Sequence, residues 1–148
     1  IRELTARAFV RDDETRIIDQ LEKDQDALLQ FVAERDGRIV GHILFYGLRV
    51  RGKLGCAGLG PMSVDPWIQK EGIGKQLVQA GLAYLRDYGV AIVFVLGHDW
   101  FYPKLGFSIE ATEPFQSKYK GDHFFAIRLR HGPPMSGELL FPSAFGED

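Results

Sequence analysis

The pattern of apolar and polar residues predicts a series of strands in the first half of the chain. An apolar run at 28–35 leads into Asp36-Gly37, a pair typical of tight hairpin turns, and then into a return strand at 38–50. A second turn at 51–53 precedes a third, glycine-rich strand at 54–64. Glycines inside a strand indicate a bulge or the close approach of another group, so this strand is of special interest.

An amphipathic helix and a buried strand follow. Apolar residues recur every three or four positions over 69–88, which predicts a helix with one buried face that ends at Gly89. The run 90–96 has no polar residue, which is typical of a strand buried on both faces, as in parallel pairing. Leu54–Leu96 is therefore predicted to form a parallel βαβ unit.

The two ends of the chain are predicted from weaker patterns. Helical spacing predicts two helices, at 1–9 and 13–26. After a loop or short helix at 97–104, two further strands are expected, antiparallel to each other, at 107–111 and 123–129.

The last segment is apolar. Gly132-Pro133-Pro134 interrupts regular structure, and the tail at 139–145 is expected to pack back on the body. With 148 residues, no internal repeat and no linker, residues 1–148 are predicted to form a single domain.

Composition and charge narrow the class of protein. The chain is 45% hydrophobic and 26% charged, as in ordinary soluble proteins, and its net charge of −2 argues against a nucleic-acid partner. Residues 1–9 do not form a signal peptide, and no apolar run reaches the ~18 residues of a membrane span. The single cysteine, Cys56, cannot form an internal disulfide, which favours the cytoplasm.

Two glycines stand at the start of the predicted helix, where they weaken it. Bare N–H groups and the positive end of the helix dipole bind anions, so Gly72 and Gly74 would suit a turn that cradles phosphate. Lys70 and Lys75 add positive charge. The alternative is a tight packing turn between strand and helix.

Two common phosphate motifs do not fit this stretch. A P-loop requires Ser or Thr after Gly74-Lys75, where the chain has Gln76, and a dinucleotide fingerprint requires a third glycine, where it has Leu77. The pattern that remains is Gln69-x-x-Gly72-x-Gly74.

This pattern resembles the acetyl-CoA signature [QR]-x-x-G-x-[GA] of the GNAT superfamily of N-acetyltransferases. Val64-Asp65-Pro66 precedes it as in the family, the strand 93–96 follows at the family's distance, and residues 102–107 resemble the family segment Y-x-x-x-G-F. Residues 1–145 are similar to a bacterial branch of predicted acetyltransferases whose substrates are unassigned.

The resemblance implies an α/β (α+β) fold with a mixed, mostly antiparallel central sheet flanked by helices, around the βαβ unit at Leu54–Leu96. The family's first strand would be missing before residue 1. It also implies a transferase that moves an acetyl group from acetyl-CoA, its cosubstrate, to a primary amine by direct attack on the thioester. The acceptor would be a small molecule or a peptide, and a homodimer is left open.

The resemblance also implies the site residues. The pantetheine arm would pair with the third strand, where the sheet is expected to splay after Gly58. The predicted cofactor-binding residues are Met62, Ser63, Val64, Gln69, Lys70, Glu71, Gly72, Ile73, Gly74 and Lys75.

The catalytic residues are predicted on the loop after the buried strand. Tyr102 lies four residues before Gly106 and would protonate the departing thiolate, the alternative being an aromatic anchor. His98 would act as a base or touch the acceptor, because ligand crevices open at this end of α/β strands; the alternative is a plain loop histidine.

Several other residues allow two interpretations. The third strand offers no carboxylate and residues 96–101 no Asn, so the base stays unassigned. Cys56 is predicted to be a small buried residue, not a nucleophile, and the four histidines have no spacing typical of metal ligands. Trp67 is expected to pack beside the phosphate turn. Trp100 and Phe101 are expected to anchor the loop, the alternative being that they line a pocket. A solvated helix cap is expected for Asp12, Asp13 and Glu14, the alternative being that they attract a cationic amine.

Three functional hypotheses remain open from the sequence: an acetyltransferase, a CoA-binding sensor without catalysis, and a scaffold without CoA.

Overall fold

The computed structural model describes residues 20, 23–24, 26–66 and 72–145. The two helices predicted at 1–9 and 13–26 lie almost entirely outside these residues. In the described part the regular elements are β1 (Ala27–Arg35), β2 (Arg38–Val50), β3 (Lys53–Val64), α1 (Ile73–Tyr88), β4 (Ile92–Leu96), β5 (Phe115–Gln116), β6 (Phe124–Arg128) and β7 (Gly137–Leu140). Short 3₁₀ turns occur at Pro103–Leu105, Glu110–Thr112 and Ser143–Phe145.

The described strands form one mixed sheet in the order β5-β7-β2-β3-β4-β6, and β1 also pairs with β2. The pairs β1–β2, β2–β3, β2–β7 and β4–β6 are antiparallel, whereas β3–β4 and β5–β7 are parallel. The predicted mostly antiparallel α/β sheet with one βαβ unit is confirmed.

Both predicted hairpin turns form with the geometry that their residues favour. Asp36 and Gly37 have φ values of 53° and 78°, and Arg51 and Gly52 have 55° and 77°. Two successive residues with positive φ form the turn whose twist matches that of the flanking strands. The sequence therefore determined the pairing of β1 with β2 and of β2 with β3 locally.

The helix packs on one face of the sheet through small residues. A Cβ placed on Gly81 of α1 would lie 2.2 Å from Cε1 of Phe45, and one placed on Gly41 would lie 3.1 Å from Cδ1 of Leu77. Glycine at these positions lets helix and strands approach closely. The buried helix residues repeat every three or four positions, as predicted: Ile73, Gly74, Leu77, Val78, Gly81, Leu82 and Leu85.

The opposite face of the sheet has a separate, aromatic core. Phe94 lies at its centre, 5.1 Å from the ring of Phe115 and 5.7 Å from that of Phe124. The apolar tail covers this face: β7 pairs with β2, and the Phe145 ring lies 4.7 Å from Tyr46. The expectation that the tail packs back is confirmed, although β5 and β7 were not predicted as strands.

The prediction of a strand at 107–111 is largely wrong. Only Ser108 bridges to Ala126 of β6, and a 3₁₀ turn begins at Glu110. Side-chain hydrogen bonds stabilise the turn: the Ala111 N–H donates to Ser108 Oγ at 3.1 Å, and Thr112 Oγ1 donates to the Ile109 carbonyl at 2.7 Å. Ser and Thr offer the backbone such alternatives to a strand ladder.

Candidate active site

The central strands of the βαβ unit diverge partway along their length. The β3–β4 ladder runs from the pair Cys56–Ile92 to the pair Leu59–Val95. Beyond it β3 continues along β2, where Met62 pairs with Ile43 and Ser63 with His42. The divergence begins after Leu59, one residue later than predicted, and opens a cleft between β3 and the end of β4.

A bulge lies at the point of divergence. Between the pairs Ile43–Met62 and Phe45–Leu59, β3 carries one more residue than β2. The extra length falls at Gly60, which has a φ of 144°, and at Pro61, which has no N–H to donate to a ladder. A bulge bends its strand and redirects the backbone, so this glycine and proline help to shape the cleft.

The start of α1 offers hydrogen-bond donors to an anion. Gly72 caps the helix with a φ of 84°, no side chain caps it, and its first turn contains no acidic residue. The first N–H groups of a helix have no partner within it, and the helix dipole favours negative charge there. The predicted contacts Gln69, Lys70 and Glu71, together with Trp67, lie outside the described residues.

The two glycines of the signature have different surroundings. Gly72 is exposed, and a Cβ there would meet nothing within 4 Å, although its positive φ favours glycine. Gly74 is buried, and a Cβ there would lie 3.5 Å from Cζ of Phe101 and 3.7 Å from Cε of Met62. Gly72 therefore belongs to the exposed turn, whereas Gly74 lies in the contact between α1, β3 and the loop after β4.

Tyr102 lies on the α1 face, beside the end of β4. Its side chain is 7% exposed, and its ring packs edge-to-face on Phe101 and Phe107 at 4.8 and 5.5 Å. A Cβ on Gly97 would lie 2.4 Å from Tyr102 Cε2, so glycine is required for the ring to take this position. Burial raises the pKa of Tyr102 to about 12, which keeps the phenol protonated at neutral pH.

His98 and Trp100 lie on the outer side of the same loop. The two exposed rings stack at 5.0 Å, and Trp100 is 64% exposed, so the expectation that Trp100 anchors the loop is wrong. Phe101 is half-buried and does anchor it. The His98 carbonyl accepts the N–H groups of Phe101 and Tyr102, both at 3.2 Å, so the His98 backbone helps to position Tyr102.

Cys56 is a packing residue, as predicted. It is 2% exposed and its thiol donates to the Leu48 carbonyl at 3.6 Å. Burial raises the pKa of this thiol to about 12, which suppresses the thiolate that a nucleophile would need.

A buried histidine escaped the sequence analysis. His42 lies on β2 opposite Ser63 and is 1% exposed. Its Nε2 lies 2.8 Å from Gln30 Oε1, and because an amide oxygen only accepts, Nε2 donates; Nδ1 has no hydrogen-bond partner. Burial lowers the pKa of His42 to about 4, so the ring is neutral at pH 7. Its position in an apolar strand was the only available signal.

A cavity of about 290 Å³ lies on the opposite face of β3 from α1. Leu59, Gly60 and Pro61 of β3 and Leu96 at the end of β4 line one side of it, at the point where the strands diverge. Aromatic residues line the rest: Tyr46, Tyr119, Phe124, Phe141 and Phe145. They come from four separate segments, so no local pattern could have revealed the cavity.

In the described part of the chain, no helix is long and apolar enough to cross a membrane. The same residues contain no cluster of three or more His, Cys, Asp or Glu side chains suited to a metal ion.

Comparison with known protein families identifies this chain. Residues 1–107 match the model of the acetyltransferase (GNAT) family. The chain belongs to this family. Among curated relatives, the uncharacterized N-acetyltransferase YjhQ of Escherichia coli K12 is 38% identical over 112 residues, which are 72% of this chain and 62% of YjhQ. YhbS of the same strain, also an uncharacterized N-acetyltransferase, is 32% identical over 120 residues, which are 80% of this chain and 72% of YhbS.

Solved structures of GNAT proteins share the fold. The E. coli YhbS structure in complex with CoA aligns with a TM-score of 0.84 at 28% identity, over 94% of this chain and 81% of that one. A GNAT acetyltransferase from Brucella melitensis in complex with acetyl-CoA aligns with a TM-score of 0.75 at 33% identity, over 93% and 81% of the two chains. The resemblance found in the sequence is confirmed.

Proposed function

We propose that this protein transfers an acetyl group from acetyl-CoA to a primary amine by direct attack on the thioester. The observation that carries the proposal is the divergence of β3 from β4 after Leu59, on a strand that leads toward the start of α1. Family membership and the CoA and acetyl-CoA complexes of the two structural neighbours support it.

The donor would bind along the cleft and at the start of α1. Backbone groups of β3 around Met62 and Ser63 would pair with the amides of the pantetheine arm, much as an added strand would. The first turn of α1, from Gly72 to Lys75, would hold the pyrophosphate, since it has uncapped donors and no acidic side chain. Val64, Gln69, Lys70 and Glu71 complete the proposed contacts.

Tyr102 would be the general acid. The attacking amine forms a bond to the thioester carbon, and the C–S bond breaks with its electrons on sulfur. The phenol of Tyr102 then gives its proton to the departing thiolate; the raised pKa of Tyr102 means that the phenol still holds this proton at neutral pH when the step begins. His98 is a weaker candidate because its ring is exposed and stacked on Trp100.

Lys75→Glu tests the donor site. Lys75 is exposed in the first turn of α1, so the variant should fold normally while it places a negative charge beside the pyrophosphate. Calorimetry should show acetyl-CoA affinity reduced about tenfold or more. Lys104→Glu, an exposed lysine on the 3₁₀ turn at Pro103–Leu105, is the matched control and should bind normally. Equal affinities for the two variants would contradict the assignment.

Gly74→Asp is a poorer test, because the new carboxylate would be buried against Met62 and Phe101 and would destabilise the fold.

Release of free CoA thiol from acetyl-CoA in the presence of a panel of primary amines tests catalysis. Tight acetyl-CoA binding without transfer to any amine would favour the alternative hypothesis of a CoA-binding sensor. Absence of acetyl-CoA binding would contradict both hypotheses.

A further inference from the structure

We infer that the cavity on the second face of β3 binds the acceptor, and that this acceptor is a small monoamine with an apolar or aromatic body. The inference rests on the proposed acetyl transfer and adds the chemical class of the substrate.

The cavity lies beside the point where β3 and β4 separate. Gly60, Pro61 and Leu96 line it, and they surround the point where β3 and β4 separate and where the thioester of the donor would lie. Tyr102 contacts Gly97, the residue after Leu96, from the α1 face. An amine in the cavity would thus approach the thioester from one face of the sheet while the proposed acid lies on the other.

The lining of the cavity is mostly aromatic. The Tyr46 and Phe145 rings are 4.7 Å apart and tilted by 50° to each other. The Tyr119 and Phe141 rings are 4.8 Å apart and nearly edge-to-face. Such rings favour an aromatic or apolar guest. Tyr46 and Tyr119 add phenol groups, and burial holds the pKa of Tyr46 well above its usual value, so that this phenol stays neutral.

The charge of the lining residues limits which amines the cavity can bind. Among the described residues that line the cavity, none has a charged side chain. Lys118 lies over the Tyr119 ring, 5.3 Å from its centre, and is not part of the lining. A carboxylate or a second ammonium on the acceptor would lose hydration there without an ionic partner, which is costly. The lining therefore disfavours amino acids and polyamines.

The size of the cavity fits an acceptor and exceeds the needs of an acetyl group. Its volume of about 290 Å³ is close to the lower end of small-molecule sites, roughly 300–1,000 Å³. A phenylethylamine-sized body would fit inside it.

Because the lining is apolar, the reaction does not require a general base from the protein. An apolar cavity disfavours the ammonium form, so the bound amine gives a proton to water more readily than in solution. The neutral nitrogen attacks the carbonyl carbon, the C–S bond breaks, and sulfur takes the proton of Tyr102. The nitrogen then releases its second proton to solvent, and Tyr102 takes one back. The products are the amide, CoA thiol and one proton.

A panel of four amines tests the inference: 2-phenylethylamine, phenylalanine, putrescine and propylamine. With saturating acetyl-CoA, kcat/KM for 2-phenylethylamine should exceed that for phenylalanine, putrescine and propylamine by at least about tenfold. A preference for phenylalanine or putrescine, or equal rates for all four, would overturn the inference while leaving acetyl transfer intact.

Leu96→Trp tests the cavity itself. Leu96 is 55% exposed, so a larger side chain can be accommodated while its bulk reduces the cavity. The selectivity for 2-phenylethylamine over propylamine should fall by at least about tenfold. Tyr88→Trp, at a position that is 74% exposed at the end of α1, is the control and should keep the selectivity. Unchanged selectivity in Leu96→Trp would overturn the assignment of the cavity.

Calorimetric titration of 2-phenylethylamine into the CoA-loaded protein separates the two proposals. Binding that Leu96→Trp weakens, without any transfer, would support the cavity and contradict the catalytic function. Transfer to propylamine without binding of 2-phenylethylamine would support the catalytic function and contradict the assignment of the cavity as the acceptor site.

Discussion

On each face of the central sheet a glycine leaves room for an aromatic ring, but the result differs between the faces. Under α1, Gly81 leaves room for the ring of Phe45, and on the other face Gly58 leaves room for the ring of Tyr46. Cβ atoms at these glycines would come within 2.2 and 2.1 Å of the rings, respectively. Phe45 is fully enclosed between helix and sheet, whereas Tyr46 borders a cavity. The first glycine closes a core and the second helps to shape an open site.

The proposed catalytic residue and the proposed acceptor cavity lie on different faces of the sheet. Tyr102, the proposed acid, belongs to the core beneath α1, whereas the proposed acceptor cavity lies on the opposite face. Substitutions on the first face should therefore alter turnover or stability, and substitutions on the second should alter acceptor choice.

The largest expected effect is that of Tyr102→Phe, which keeps the ring in the core and removes the hydroxyl. We expect turnover to fall about 10²–10⁴-fold with acetyl-CoA affinity nearly unchanged, because the general acid is lost. Steady-state kinetics and calorimetry measure the two quantities. Tyr84→Phe, at an exposed tyrosine of α1, is the control, and turnover of Tyr102→Phe within a few-fold of the parent would show that Tyr102 is an aromatic anchor.

The dependence of turnover on pH also tests whether Tyr102 is the general acid. A phenol with a pKa of about 12 stays protonated up to about pH 11, so the parent should keep its turnover throughout the range from pH 8 to 10. A loss of turnover with an apparent pKa near 9 would exclude Tyr102 as the acid. Initial rates in overlapping buffers give this profile.

Gly81→Val should destabilise the fold by about 3 kcal/mol, because the fully buried Phe45 ring has no space into which to move. Urea unfolding of the variant and the parent measures the difference. A loss below about 1 kcal/mol would mean that the contact between Gly81 and the Phe45 ring is not tightly packed.

Acid should destabilise the second face through His42. Its pKa of about 4 lies below the unfolded value of 6.5, so the unfolded chain binds this proton first as pH falls. The stabilisation is complete above about pH 6.5 and is lost toward pH 4, about 2 kcal/mol of it between pH 8 and 5.

The readout is the difference between the parent and His42→Leu in urea unfolding at the two pH values. His98→Leu, at an exposed histidine, is the control and should keep the parent's pH dependence. If His42→Leu also kept the parent's pH dependence of stability, then His42 would not be the cause of the loss of stability in acid.

The smallest expected effect on stability is that of Gly58→Val, about 1 kcal/mol, because Tyr46 can turn into the adjoining cavity. The same movement should reduce the binding of 2-phenylethylamine. Unfolding and acceptor kinetics measured on one preparation test both points. A stability loss as large as that of Gly81→Val would contradict the difference between the faces.

The sequence by itself determined the local features of this protein. Asp36-Gly37 specifies a two-residue turn, and the turn predicted at 51–53 forms at Arg51-Gly52; all four residues adopt positive φ. The three-and-four spacing of apolar residues specifies the buried face of α1. The all-apolar run 90–96 predicts a strand buried on both faces, and β4 is buried except at Leu96, which is 55% exposed. These signals are readable because each depends on residues that are neighbours along the chain.

Only the tertiary structure decided the rest. Gly74 matches the family signature, yet its environment is the packing of α1 against Met62 and Phe101, which a sequence pattern does not distinguish from an exposed turn. A strand is predicted at 107–111, but side-chain hydrogen bonds of Ser108 and Thr112 favour a 3₁₀ turn at Glu110–Thr112 instead. The cavity depends on β3, the end of β4 and the distant tail meeting at one place, and contacts between residues so far apart in sequence leave no local pattern.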